Sequence, residues 1–249
     1  MKKLLIIIAV FFILTQVSNA QLWKLRRYEI SGGIGTTQFY SDIGGYPTEK
    51  NVLGLRDFTF KQTRFNLNGC VRYRFTEDFA AKVSLVFGTL HATDASGEYI
   101  SRGFEANTIF VEPSLIAEYY FIKNKEENSF VFLAKNETFI KSVFSSLDFY
   151  CFTGIGGLGY KVSPNSVLAP HATKTSGFTE VVPLGVGVSL IYSGDFNFGV
   201  ELGGRFTFSD YLDGYTSAKS KANDIYHLLN FTITYKINKR VKGLPALGR

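Results

Sequence analysis

Between Arg64 and Phe75 the side chains alternate with period two. Phe65, Leu67, Val71, Tyr73 and Phe75 share one face, and Arg64, Asn66, Asn68, Arg72 and Arg74 share the other. A β-strand sends successive side chains to opposite faces, so this segment carries an apolar face and a face bearing three guanidinium groups. The same alternation recurs down the chain and predicts eight strands. The first runs from Arg27 to Tyr40, with Tyr28, Ile30 and Ile34 opposite Glu29, Ser31 and Gly33. The second is the one just described, and Thr76-Glu77-Asp78 turns it into a third, Phe79 to Leu90, where Val83, Leu85 and Phe87 oppose Lys82 and Ser84. A fourth, Thr108 to Ile122, sets Ile109, Val111, Leu115, Tyr119 and Phe121 against Glu112, Ser114 and Glu118. The fifth, Leu147 to Lys161, contains Gly154, Gly156, Gly157 and Gly159, which suits a strongly bent strand. The sixth spans Val181 to Tyr192, and Ser193-Gly194-Asp195 turns it into the seventh, where Phe196, Phe198, Val200, Leu202, Phe206 and Phe208 alternate with Asn197, Glu201, Arg205, Thr207 and Ser209. The eighth, Leu228 to Ile237, closes the series.

Aromatics on the apolar face of strand after strand point to an all-β, transmembrane, antiparallel up-and-down barrel with lipid outside and a polar lumen. Short turns follow strands two and six, so these lie on the periplasmic side, and residues 41 to 60, 91 to 103, 162 to 180 and 209 to 224 become outer loops. Residues 123 to 146 join strands four and five on the periplasmic side and are far longer than a turn. Their apolar stretches, Phe130 to Leu133 and Phe139-Ile140, read either as an extra hairpin, giving ten strands, or as a periplasmic excursion packed on a partner or on the barrel rim.

The N-terminus changes the picture by fixing the compartment. Lys2 and Lys3, an apolar run from Leu4 to Leu14 and Ser18-Asn19-Ala20 form an export signal over residues 1 to 20, so the mature chain is expected to start at Gln21, with a barrel over 21 to 237 and a basic tail over 238 to 249. No cysteine follows the cleavage site, which speaks against a lipid anchor. Aromatics make up 16% of the chain, with Phe occurring 24 times and Tyr 14, as expected where an apolar band lies between aromatic girdles. Loss of the two signal lysines lowers the formal charge from +6 to +4, in mixed sign along the chain, and nucleic acid is not an expected partner. By strand parity Cys70 faces the lumen and Cys151 faces lipid, which argues against a disulfide.

The candidate chemistry lies inside. The interior of an eight-stranded barrel is just wide enough to be filled by side chains, so Arg64, Arg72, Arg74, Lys82 and Arg205 are expected to pair with Glu112, Glu118 and Glu201 in a packed ionic network. Catalysis is the competing class: His91, His171 and His227 map to outer loops or strand tops, and Asp224 is placed to orient His227 as a general base. No nucleophile motif accompanies them, and the chain reads as a non-enzyme without cofactor. Asp42, Asp210, Asp213 and Asp224 are candidate calcium ligands, yet no loop has the regular spacing of a dedicated site, so no metal is expected.

Ser41-Asp42-Ile43-Gly44-Gly45 after strand one, the glycine-rich fifth strand, Ser209-Asp210-Tyr211-Leu212-Asp213-Gly214-Tyr215 after strand seven, the closing Asn230 to Ile237 and the basic tail ending at Arg249 resemble the PorG-like family of small outer-membrane barrels of Bacteroidota. The resemblance covers most of the mature chain. It implies an outer-membrane component of the type IX secretion machinery, docked on its periplasmic side to a ring formed by a lipoprotein and its partner. Lys239, Arg240, Lys242 and Arg249 then make the tail a candidate docking strip. The alternative readings are an independent surface barrel for adhesion or ligand binding, and a narrow porin.

Overall fold

Eight strands form where the alternation runs: β1 (Tyr28–Tyr40), β2 (Arg64–Arg74), β3 (Phe79–Thr93), β4 (Glu105–Ile122), β5 (Leu147–Pro164), β6 (Ser176–Ile191), β7 (Phe196–Thr207) and β8 (Ile225–Ile237). Each pairs antiparallel with the next, and β1 also pairs with β8, so the sheet closes into an up-and-down barrel with no free edge. The computed structural model describes residues 26–44, 60–95, 99–124, 129–135, 137–216 and 223–237. The export signal, Gly45 and the basic tail lie outside the described residues.

The register follows from the two faces of the wall. Ile30 pairs with Val71 and with Tyr235, which keeps apolar positions side by side outside, while Glu29 pairs with Arg72 and with Lys236, which keeps charged positions side by side inside. A slip of one residue would turn every charge of a strand into the apolar surroundings, so the alternation excludes odd slips of register. Outward Ile34, Val83 and Ile155 are 63%, 64% and 69% exposed. A continuous girdle of such side chains, ringed by aromatic pairs such as Tyr28–Tyr73, Phe79–Tyr119 and Phe196–Tyr235, fits hydrocarbon and not water. Among the described residues no helix is long and apolar enough to cross a membrane, and the crossing elements are strands.

Two expectations are corrected. The described residues of 123 to 146 add no hairpin, so the ten-strand variant falls: they form two short helices, α1 (Phe130–Leu133) and α2 (Phe139–Ser145), at the end of the barrel that carries the short turns. Ser129 starts α1 by accepting the Phe132 amide, and its four residues, like the seven of α2, are too few to span as strands. The stretches read as outer loops at 91 to 103 and 162 to 180 begin or end as strand. β4 and β5 are 18 residues long, well beyond the roughly 9–11 a membrane strand needs. The surplus stands on the outer side, held by an apolar core of Leu90, Ala92, Phe104, Ala106, Leu158, Val162, Leu168 and Leu212.

The glycines of β6 are explained by what lies opposite. Gly185 and Gly187 leave the space that the rings of Phe152 and Tyr150 occupy. The fifth strand's own glycines bring it close to β4, where Gly154 lies against the Leu115 carbonyl.

Candidate functional site

The lumen holds buried charge in two groups, a larger network centred on β2 and a separate pair nearer the outer side. Arg72 on β2 is the hub of the network, bridging Glu29 on β1 (2.8 Å) and Glu118 on β4 (2.7 Å) and lying 3.8 Å from Glu201 on β7. Arg74 holds the other oxygen of Glu29 at 2.8 Å. Lys82 on β3 lies 2.9 Å from Glu118 and also pairs with Glu201. Nearer the outer side, Arg205 on β7 pairs with Glu112 on β4 at 3.0 Å. All of these residues are under 9% exposed. Four cations thus meet four carboxylates, and buried Lys236 and Asp148 add one charge of each sign, a balance that a low-dielectric interior requires, since an unpaired charge there costs several kcal/mol.

Tyrosines add hydrogen bonds to three of the carboxylates. The Tyr150 hydroxyl donates to Glu201 (2.8 Å), that of Tyr226 to Glu112 (2.6 Å) and that of Tyr120 to Glu118 (3.1 Å). The cations in turn lie over rings, Arg74 over Tyr120 at 5.2 Å and Lys82 over Phe152 at 5.1 Å.

The structure brings Arg72, Arg74, Lys82, Glu112, Glu118, Glu201 and Arg205 together. Arg64 stands apart: at the outer start of β2 its guanidinium donates to the carbonyls of Lys61 and Thr63, both at 2.9 Å. Parity turned it inward, but its height on the barrel puts it beyond the carboxylates. Glu29 was missed as a network member, although its position opposite Arg72 follows from the parity of β1. Tyr120, Tyr150 and Tyr226 were also missed, because Tyr reads equally well as an outer girdle residue and as a lumen donor. The Cys70 thiol lies inside beside the Ser31 hydroxyl (2.8 Å) and Cys151 is exposed outside, so the wall separates the two free thiols.

The outer-loop motifs have a structural task. Asp94, fully buried after β3, accepts the Gly44 amide (2.9 Å), the Phe104 amide (3.1 Å) and two nitrogens of Arg102 (2.7 and 2.8 Å). Gly44 reaches it through a left-handed backbone (φ +81°) with the Thr93 carbonyl where a side chain would start, so only glycine fits. Arg102 also donates to the Asp42 carbonyl (3.0 Å) and lies over the rings of Phe104 and Tyr215. In the last outer loop Asp224 accepts the Leu212 amide (2.8 Å), and the Leu212 carbonyl accepts from Thr108 (2.6 Å). Asp213 accepts the Tyr215 amide (2.9 Å), the Asp210 carboxylate accepts from Thr216 (2.6 Å), and Gly214 takes a left-handed turn whose carbonyl receives the Thr173 amide (2.9 Å). Partly buried Tyr211 packs on the same apolar core. These loops fold over the barrel mouth as a cap.

Burial raises the Asp213 carboxyl to about 7 against the pull of the Tyr215 amide and Ser41, and Asp42 and Asp210 add repulsion. Burial, reinforced by Asp213, likewise pushes Asp224 well above the usual carboxylate range. A carboxyl whose folded pKa is raised binds its proton more tightly in the closed cap. Its stabilisation is therefore full below the ordinary Asp range and is lost as pH rises towards 7. Limited proteolysis of the β7–β8 loop is expected to accelerate between pH 5 and 7, by up to about tenfold per pH unit for each of the two carboxyls, and less steeply above 7, where Asp224 alone still contributes. Asp213→Asn should make that profile shallower below pH 7; an unchanged profile would refute the assignment.

The three histidines sit in different surroundings, and His91 lies 3.7 Å from the Glu105 carboxylate. Asp224 serves Leu212 and not His227, whose ring packs edge-on against Tyr40 at 4.9 Å. His91 bonds Asn107 (2.8 Å), and His171 lies against Phe104. Among the described residues no three His, Cys, Asp or Glu side chains are arranged to hold a metal ion.

Fold, lipid-facing girdle and filled lumen define a small membrane-spanning barrel of the outer-membrane type. No family model matches the chain, and no curated protein matches it. Solved structures similar to it include the N-terminal β-barrel domain of Pseudomonas aeruginosa OprF (12% identity over 85% of this chain and 98% of that one, TM-score 0.44). Neisserial surface protein A is 13% identical over 84% of this chain and 97% of that one (TM-score 0.42). Ail, the attachment invasion locus protein of Yersinia pestis, is 14% identical over 85% and 99% (TM-score 0.43). The likeness is one of barrel shape and extends no further.

Proposed function

We propose that this protein is a non-catalytic outer-membrane barrel that anchors a protein secretion assembly through periplasmic contacts. The observation that carries the anchoring role is the filled interior: the lumen is occupied by paired long side chains and the outer mouth by an apolar core beneath folded loops. A barrel of this size conducts only if its lumen is cleared of such side chains, so its work falls to its surfaces. On the periplasmic side it carries a helical connection where a turn would suffice, and the sequence continues past β8 into the basic strip of Lys239, Arg240, Lys242 and Arg249. The resemblance to PorG-like barrels supplies the particular assembly, type IX secretion, with periplasmic lipoprotein and ring subunits as partners and outer-membrane lipid as surroundings.

Reversing the four tail charges to Glu tests the reading. Secretion is expected to fall at least tenfold while the barrel still inserts and its outer loops remain labelled on intact cells, because losing several charge contacts of about 0.5–1 kcal/mol each compounds. Unchanged secretion would sink the docking role.

A further inference from the structure

We infer that α1 and α2 form an interfacial foot, a helical pair lying on the periplasmic leaflet of the bilayer with phospholipid covering its apolar face. The pair sits at the end of the barrel that carries the short turns: Lys123, at the head of this connection, donates to the Glu77 carbonyl of the β2–β3 turn (2.7 Å). Its apolar side chains are as bare as those of the membrane girdle. Phe132 is 61% exposed, Phe139 70%, Ile140 69% and Phe144 70%, against 63% for the lipid-facing Ile34. The polarity of α2 is inverted for a helix in water. Ser142 is completely buried and returns its hydroxyl to the Thr138 carbonyl (3.0 Å), while Phe139, Ile140 and Phe144 point away from the protein. A helix packed on a barrel and facing water would bury the aromatics and wet the serine.

Continuity with the girdle decides the occupant. The Val131 amide donates to the Tyr192 carbonyl at 3.2 Å. The Phe130 ring stacks on Tyr192 (centroids 6.3 Å apart, 22° between planes) and meets Phe139 edge-on at 5.7 Å. Tyr192 in turn meets Phe198 at 5.2 Å, and Phe198 belongs to the lipid face of β7. An unbroken aromatic path thus runs from the hydrocarbon band to the helices. Lys135 and Lys141 are exposed on the same connection, Lys141 pairing with Glu137 at 2.8 Å. Apolar side chains on one side with lysines at the rim are what an element lying in the headgroup boundary carries. The foot would fix the barrel's height and rotation against the leaflet, and it holds whether or not a periplasmic assembly binds the tail.

The test uses the full mature chain with its sole tryptophan removed (Trp23→Phe) and a reporter introduced as Phe144→Trp, folded into phosphatidylethanolamine–phosphatidylglycerol vesicles containing brominated acyl chains. Heat-modifiable migration on gels confirms folding, and Phe139→Trp serves if the first variant does not fold. The expected result is blue-shifted emission, quenched by bromines nearest the headgroup about as strongly as Ile34→Trp is quenched by deeper ones, with little response to aqueous iodide. Water-like emission, quenched by iodide and indifferent to brominated lipid, would overturn the inference and leave the face to a protein. No partner is present in these vesicles, so the outcome is separate from that of the tail reversal.

Discussion

Arg72→Met is expected to destabilise the barrel by about 3–5 kcal/mol, the range found when one member of a buried ion pair is removed. Arg72 touches Glu29 at 2.8 Å and Glu118 at 2.7 Å, and its loss leaves five buried carboxylates, Glu29, Glu112, Glu118, Asp148 and Glu201, facing the four cations Arg74, Lys82, Arg205 and Lys236. The excess charge sits under 9% exposed, where little water can reach it. The measurement is the urea midpoint of unfolding in lipid vesicles. Its companion is the double variant Arg72→Met/Glu118→Gln, which restores the balance and should recover most of the loss even though it has fewer ion pairs. If the double variant were as unstable as the single one, the network would be acting through its particular hydrogen bonds and not through charge balance.

The second large effect separates two adjacent glycines of β1. Gly33 faces inward at the seam that closes the barrel, and a side chain there would meet the Phe231 carbonyl oxygen of β8, with the Phe231 carbonyl carbon and Thr232 Cα each 3.0 Å away. These are backbone atoms of a paired strand and cannot swing aside. Gly33→Val should therefore cost more than the about 1–3 kcal/mol of ordinary overpacking and prevent the β1–β8 pairing, seen as loss of the heat-modifiable folded species. Gly32 faces lipid, and a side chain there meets only the Asn68 carbonyl at 3.8 Å. Gly32→Val should fold normally, within about 1 kcal/mol of the parent, since valine suits a pleated strand against an apolar solvent. Equal behaviour of the two variants would mean that the seam is not where β1 and β8 place it.

Much of the architecture is legible in the sequence because a barrel wall separates two solvents. Each strand must satisfy lipid and lumen at every second residue, so period-two alternation appears locally, and facing and most of the charged lumen residues follow from counting, while the choice between eight and ten strands waited on the 123 to 146 segment. Arg64 marks where counting stops. Parity sets the side of the wall a residue faces, but its height depends on how neighbouring strands stagger. The helical foot was illegible as a fold for a related reason: Phe130 to Leu133 and Phe139-Ile140 are apolar enough for strands, and only the surroundings of Tyr192 and the brevity of the runs favour helices. The cap escaped detection because Asp94 binds Gly44 50 residues earlier in the chain, and polar loop residues look solvated until such a contact exists.

By itself the sequence determined an antiparallel barrel wall of eight or ten strands, which face of most strands meets lipid, and that the interior carries charge of both signs. Those are properties of single strands, written in each one's own alternation. The tertiary structure alone decided that Lys82 meets Glu201 across 119 residues, that Arg72 becomes the hub, and that the outer loops close the mouth. Such pairings depend on the stagger and closure of the whole barrel, which no segment encodes alone, because the free energy of a buried charge is set by whichever opposite charge the closed fold brings within about 3 Å of it.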